Sequence, residues 1–245
     1  IDTIESVKLA QAQGALTVGI VNVLGSTLYR LAQEKILLNA GPEKAVASTK
    51  AFSAKLAILL LTASSLADRL EQGQAELRQA AAAVTALLKP AYRLKLTRLA
   101  VNLHHHNHLF VVGRGQSYPA ALEAAIKIKE VSYIHAEGLA GGELKHGPIA
   151  LIDKGTPCLV IAPQDETYGD VISGAMEMAA RGGRIIGISC QPNSVFDDYL
   201  PISNCGQATI IPGVAVAQIL AYELALARGL DPDKPRNLAK SVTVK

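Results

Sequence analysis

The chain has no tryptophan, only 4% aromatic residues, and little surplus of charge: 24 Lys and Arg stand against 21 Asp and Glu, a formal net charge of +3. Base stacking needs aromatic platforms, and gripping a polyphosphate backbone needs clustered basic residues. Here the basic residues are scattered, so no nucleic-acid partner is expected. Cysteine is scarce too. Cys158, Cys190 and Cys205 are odd in number and far apart, which excludes a disulfide scaffold or a CxxC zinc site and suits a reducing cytoplasm. The 20 glycines and 11 prolines among 245 residues are ordinary, so disorder and low-complexity readings fall away. No basic segment leads into an apolar core at the start, so no signal peptide is visible. The uncharged run Leu56 to Ala67 reads as the longest apolar one and falls short of the about 20 residues that span a membrane. No membrane partner is expected.

What is present is a hydrophobic content of 49% with 18% charge, enough for one large soluble domain or two small ones. The order of elements repeats. DTIESVKLAQAQGALTVGIVNV reads as an amphipathic helix from Asp2 and a β-branched run from Leu16 to Val23; ETYGDVISGAMEMAARGGRIIGISC reads as a helix and a strand from Arg184 to Cys190. Each copy continues through a polar link (Leu24-Gly25-Ser26; Gln191-Pro192-Asn193) and a short apolar segment (Ile36 to Leu38; Leu200 to Ile202). A glycine turn follows (Asn39-Ala40-Gly41; Asn204-Cys205-Gly206), then a long Ala/Leu helix, AVASTKAFSAKLAILLLTA or GVAVAQILAYELALARG. Such alternation predicts an α/β protein, a parallel sheet with helices on both faces.

Ahead of the second copy the pattern predicts a strand (Leu109 to Gly113), a helix (Ser117 to about Ser132), a polar loop, and a strand (Cys158 to Ala162). Nothing precedes the first copy, and the chain opens on Ile1 without an initiator Met, so it is expected to start mid-domain. Asp68 to Arg98 reads as a connecting helix that Pro90 breaks or kinks. The expected division is residues 1–94, 95–230, and a tail of 231–245.

Four segments could carry chemistry. Gly113-Arg114-Gly115 with Ser117 and Pro119 suits a βα turn that brings N–H groups toward an anion, with Ser117 as N-cap, or a plain tight turn. On the following helix Glu123, Lys127 and Glu130 recur at i, i+4 and i+7 and share a face. That spacing suits either a surface salt bridge or a carboxylate held beside an ammonium for proton transfer next to a carbonyl. Glycines around Glu143, Lys145 and His146 mark a loop able to hold a catalytic group or a capping histidine. The tail from Asp231 to Thr243, with Pro232 and Pro235, is either solvated or folded back to present Lys240. His104-His105-His106-Asn107-His108 lacks an accompanying Cys or acid cluster, so it reads as a linker and no metal is expected.

The strings GRGQSYPAALEAAIKIKEVSYIHAEGLAGGELKHGPIALID and DKPRNLAKSVTVK resemble the isomerase part of the glutamine–fructose-6-phosphate aminotransferases, which make glucosamine 6-phosphate. The likeness runs from Asp2 to Val244. It implies two sugar isomerase (SIS) type three-layer α-β-α sandwiches with parallel sheets, the first one incomplete. It also implies roles. Glu130 matches the base that moves a proton between C1 and C2 of the sugar, and Lys127 the lysine beside it that interacts with the substrate. Lys240 matches the tail lysine that opens the fructose ring through a Schiff base. His146 matches a ring-opening histidine supplied by a neighbouring subunit, which implies a homodimer. Val46, Ser48 and Ala239 match substrate-binding positions. Fructose 6-phosphate and glucosamine 6-phosphate are the implied ligands, no cofactor is implied, and a glutaminase domain is the implied source of ammonia.

Two parts of the family pattern are absent from the sequence: that glutaminase domain, and a Ser/Gln/Ser/Gly/Glu/Thr phosphate loop expected just before Ile1. The equivalent place in the second repeat holds Pro163-Gln164-Asp165-Glu166-Thr167, poor in phosphate donors. Another SIS sugar-phosphate isomerase or deglycase, or a phosphosugar-binding module without turnover, are the alternatives. The KSVTV tail and KHGP loop favour the aminotransferase over the former. Glu130, His146 and Lys240 together argue against the latter.

Overall fold

The backbone follows the alternation of the sequence in two parallel sheets. The structure, a computed structural model, describes residues 1–240. In the first repeat α1 (Asp2–Ala12) leads to β1 (Val18–Val21), α2 (Thr27–Leu31), β2 (Glu34–Leu37) and α3 (Lys50–Leu66), with β1 and β2 paired in parallel. Two helices, α4 (Leu70–Leu87) and α5 (Pro90–Leu103), lead to the second sheet. Pro90 opens α5, where its missing N–H costs nothing. Residue 95, the expected boundary, lies inside α5, which packs on the last helix.

The second sheet contains β3 (His108–Gly113), β4 (His135–Ala140), β5 (Pro157–Ala162), β6 (Arg184–Ser189) and β7 (Asp198–Pro201). Their order is β4-β3-β5-β6-β7, all parallel. Helices α6 (Ser117–Ser132), α7 (Tyr168–Ala179) and α8 (Ile210–Ala227) cover its faces. The central strands are apolar throughout because both faces are covered. Leu109, Val111, Leu159 and Ile161 face the α5–α6–α8 core, while Phe110, Val112, Cys158 and Val160 face the α7 core. The period of 2 thus divides each strand between two layers. Strand order reverses between β3 and β5, which opens a crevice at their C-terminal ends where α6 begins.

Four local expectations need correction. The polar loop after Ser132 contains β4 and two 3-10 turns, Gly141–His146 and Pro148–Leu151. The first polar link leads into α2, whose N-cap Ser26 Oγ accepts the Tyr29 N–H. Ser117 is not the N-cap of α6 but its first residue, fully buried, with an Oγ that has no hydrogen-bond partner. Finally, Leu56 to Ala67 is not the longest apolar run. Among the described residues Gly206–Ala227 is long and apolar enough to cross a membrane, with a mean hydropathy of 1.8, and this segment is mostly buried inside the protein.

Helices α6 and α8 meet through small residues, with Ala120, Ala121, Ala124 and Ala125 facing a core that includes Val214, Ala217 and Ala221. Small side chains let helix axes approach closely. Glu223 of α8, buried, accepts hydrogen bonds from Arg93 and from Thr97 Oγ1 (2.9 Å), which ties α5 to α8.

The seat of α6 depends on Gly113, where an added Cβ would lie 2.0 Å from the Ser117 carbonyl oxygen. Gly113→Ala should therefore lower unfolding free energy by about 2–4 kcal/mol. Gly169→Ala, with nothing within 4 Å of its Cβ, should stay within about 0.5 kcal/mol of the unmodified chain. Urea midpoints of both variants check the contrast, and equal midpoints would refute it.

Candidate active site

Helix α6 supplies an ammonium with two carboxylates. Lys127 Nζ lies 2.6 Å from Glu130 Oε2 and 3.7 Å from Glu123 Oε1. The Lys127 side chain is only 7% exposed, so of the two readings of the spacing, a plain surface salt bridge does not apply. A buried ammonium is stable only beside anions. Glu123 Oε1 is buried and within ion-pair range, yet accepts no hydrogen bond. Burial pushes the Glu123 carboxyl above its ordinary pKa; Lys127 opposes the shift and Glu130 adds to it.

A second group forms where the turn ahead of α3 meets the tail. Lys240 Nζ donates to Glu43 Oε2 at 3.1 Å and reaches the Val46 carbonyl at 3.5 Å. Ser48 Oγ donates to the other Glu43 oxygen at 3.0 Å. The Val46 N–H donates to the Asp233 carbonyl at 3.1 Å. Further along the tail, the Arg236 N–H donates to the Tyr133 hydroxyl at 2.6 Å, and its guanidinium lies 4.2 Å from that ring's centroid. Tyr133 is the left-handed C-cap of α6, with φ +58° and its N–H on the Lys129 carbonyl. A bulky residue rarely adopts that conformation without support. The tail is therefore pinned to both repeats, folded back rather than solvated. Ser241, Val242 and Thr243 lie outside the described residues.

The two groups share walls. Lys127 lines a cavity of about 160 Å³ with Ala45, Ala47, Thr49, Gln218, Pro232 and Asp233. Glu130 lines a neighbouring cleft with Tyr133, His135, Arg236, Asn237 and Leu238. Ala239 is exposed beside Lys240. His146 ends the first 3-10 turn, exposed, and makes no polar contact with Lys127, Glu130 or Lys240. Its neighbour Lys145 pairs with Glu177 at 2.8 Å. The crevice beside Ser117 is lined by Gln116, Gln164, Asp165, Glu166 and Gln207 and is bridged by the Gln116–Gln207 hydrogen bond. No group of three or more His, Cys, Asp or Glu that could hold a metal occurs among the described residues.

Sequence reasoning missed Glu43 and Tyr133. Neither has a periodic or motif signal of its own; their partners lie 197 and 103 residues away.

The SIS domain family model matches residues 1–65 and 102–227, stretches that include both parallel sheets. The chain is 41% identical over 248 aligned positions to the glutamine–fructose-6-phosphate aminotransferase [isomerizing] of Pyrococcus horikoshii. It is 43% identical over 254 to that of Thermococcus kodakarensis. Each alignment covers 99% of this chain and 42% of the relative, so the chain spans less than half the length of the curated relatives it matches. Among solved structures, the C-terminal domain of the glucosamine-fructose-6-phosphate aminotransferase from Francisella tularensis superimposes with a TM-score of 0.86 at 33% identity. That match covers 95% of this chain and 69% of the other. The chain belongs to the SIS-domain proteins and, within them, to the isomerizing glutamine–fructose-6-phosphate aminotransferase family.

Replacing Lys127 tests the α6 group. A carboxyl whose pKa is raised on folding favours the folded state while protonated, and that contribution is lost as pH rises through the raised value. Lys127 limits the loss. Lys127→Met should cost about 2–4 kcal/mol at pH 7.5 and clearly less at pH 5, read from urea unfolding at both. An equal cost at both pH values would assign the effect to packing alone.

Proposed function

We propose that this chain is the sugar-isomerising part of a glutamine–fructose-6-phosphate aminotransferase, combining fructose 6-phosphate with ammonia and releasing glucosamine 6-phosphate and water. The observation that carries the reading is the tail lysine Lys240, folded onto the Val46–Ser48 turn. In the proposed reaction the Lys240 amine adds to C2 of the open-chain ketose, water leaves, and an imine forms. Ammonia then displaces the lysine. Glu130 takes a proton from C1 and returns one to C2, which leaves the amine on C2 and an aldehyde at C1. Lys127, held against Glu130, fixes that carboxylate in place and is the proposed lysine contact to the substrate. Val46, Ser48 and Ala239 are the proposed sugar contacts.

His146 is assigned to ring opening from a neighbouring subunit. Its exposed position, without polar contact to Lys127, Glu130 or Lys240, fits that assignment, which requires a homodimer. A glutaminase domain, of the kind the relatives' names imply, is the proposed source of ammonia. The proposed division of labour is residues 1–94 for the first half, 95–230 for the second, and 231–245 for the closing tail.

Two variants test this reading in a protein spanning the length of its relatives. Glu130→Gln should retain sugar-phosphate binding and lower turnover by about 100-fold, as for loss of a general base. Borohydride with fructose 6-phosphate should trap an adduct on Lys240 that Lys240→Arg abolishes, since a guanidinium stays protonated. Unchanged turnover in the first, or an adduct on Lys127 in the second, would sink the assignment.

A further inference from the structure

Glu43 has no part in the reaction as proposed, yet it touches two of that reaction's groups. One of its oxygens holds the Lys240 ammonium at 3.1 Å and the other accepts from Ser48 Oγ at 3.0 Å. Its side chain is 17% exposed, against 40% for Lys240, so the carboxylate is the fixed member and the tail lysine the movable one. The residue sits in a short turn, with Gly41 at φ +71° behind it and Lys50 Nζ donating to the Pro42 carbonyl at 2.7 Å. The other charged residues of the turn, the tail and the α6 face are Lys44, then Asp231, Asp233, Lys234 and Arg236, then Glu123 and Lys127. None of them forms an ion pair with Glu43 or Lys240.

We propose that Glu43 is the positioning residue of the tail lysine, setting Lys240 and Ser48 together through one carboxylate. Backbone contacts at Asp233 and Arg236 bring the tail near, but of the tail contacts only the Glu43 pair and the Val46 carbonyl fix the lysine's end. The same pair holds the lysine's amine against the turn until a sugar competes for it. Consistent with this, although burial pushes Glu43 upward, hydrogen bonds from Lys240 and Ser48 with the Lys240 charge leave its carboxyl below the ordinary pKa. The inference rests on the proposed roles of Lys240 and Ser48, and the test separates the two.

The pairing is read without turnover, by amine labelling of the folded chain with trinitrobenzenesulfonate at pH 8 and peptide mass spectrometry. Glu43→Gln should raise the Lys240 labelling rate by about 3- to 10-fold, as expected for an amine freed from a charge-assisted hydrogen bond. Glu43→Asp should return most of the protection. Lys127, buried, should stay unlabelled throughout, which distinguishes a local change from unfolding. In the unmutated chain 1 M NaCl should raise the Lys240 rate by about 2-fold by screening the pair. An unchanged rate in both the variant and the salt experiment overturns the pairing.

The positioning role is read by borohydride trapping with fructose 6-phosphate in a protein spanning the relatives' length. Glu43→Gln should cut the Lys240 adduct by about 10-fold, with Glu43→Asp between. An undiminished adduct in Glu43→Gln overturns the role. If the labelling shift occurs but the unmutated protein gives no adduct, the Schiff-base reading fails while the Glu43–Lys240 pairing stands.

Discussion

A buried ammonium is the constraint on which the rest of the site depends. Lys127 is buried, so α6 must hold carboxylates beside its charge, and Glu130 at 2.6 Å is the nearer one. The helix is fixed at both ends to keep that arrangement. At its start, Gly113 lets the Ser117 backbone approach closer than any side chain would allow. At its end, Tyr133 turns left-handed and offers its hydroxyl to the tail. Along its length, alanines meet the small residues of α8. The proton transfer proposed for Glu130 calls for such rigidity, because a displacement of about 1 Å costs roughly 100-fold in rate.

The second sheet was legible in the sequence because its central strands are covered on both sides and consist of unbroken apolar runs. The edge strand was not. His135–Ala140 contains Glu137 and Gly138, and only Ala136 and Leu139 of its residues are buried, which is not the alternation of a half-buried strand. Gly138 is there because a Cβ would lie 2.9 Å from the Ala121 carbonyl oxygen and Leu122 Cα, a reason invisible without α6 in place. Helix α2 escaped notice because five residues are too few for a periodic signal. Helix α8 is interrupted by Pro212, Gly213 and Gln218, so it did not read as one apolar run although burial surrounds most of it.

The candidate site divides the same way. Glu123, Lys127 and Glu130 could be read from helical spacing, since neighbours on a helix face are three and four residues apart. Their burial could not, because it depends on the turn at 45–49 and on the tail. The docking of the tail uses the Asp233 carbonyl and the Arg236 N–H, backbone groups, so no side-chain pattern announces it. The proline-flanked composition left the tail either solvated or folded back, and only contacts to Val46, Tyr133 and Glu43 select between them.

The chemical nature of α8 has a consequence for how the protein fails. It is a segment with the hydropathy of a membrane span, kept from water only by packing against α3, α4, α5 and α6 and against the sheet. Once those neighbours separate, a nearly charge-free greasy rod is released into solvent, and exposed apolar surface of that kind is prone to self-association. Heat inactivation is then a one-way event governed by how often the helix layer opens, and the useful measure of durability is a half-life instead of a midpoint. The Arg93–Glu223–Thr97 clasp between α5 and α8 acts on that clock: an interaction that must break before the rod escapes slows the opening step itself.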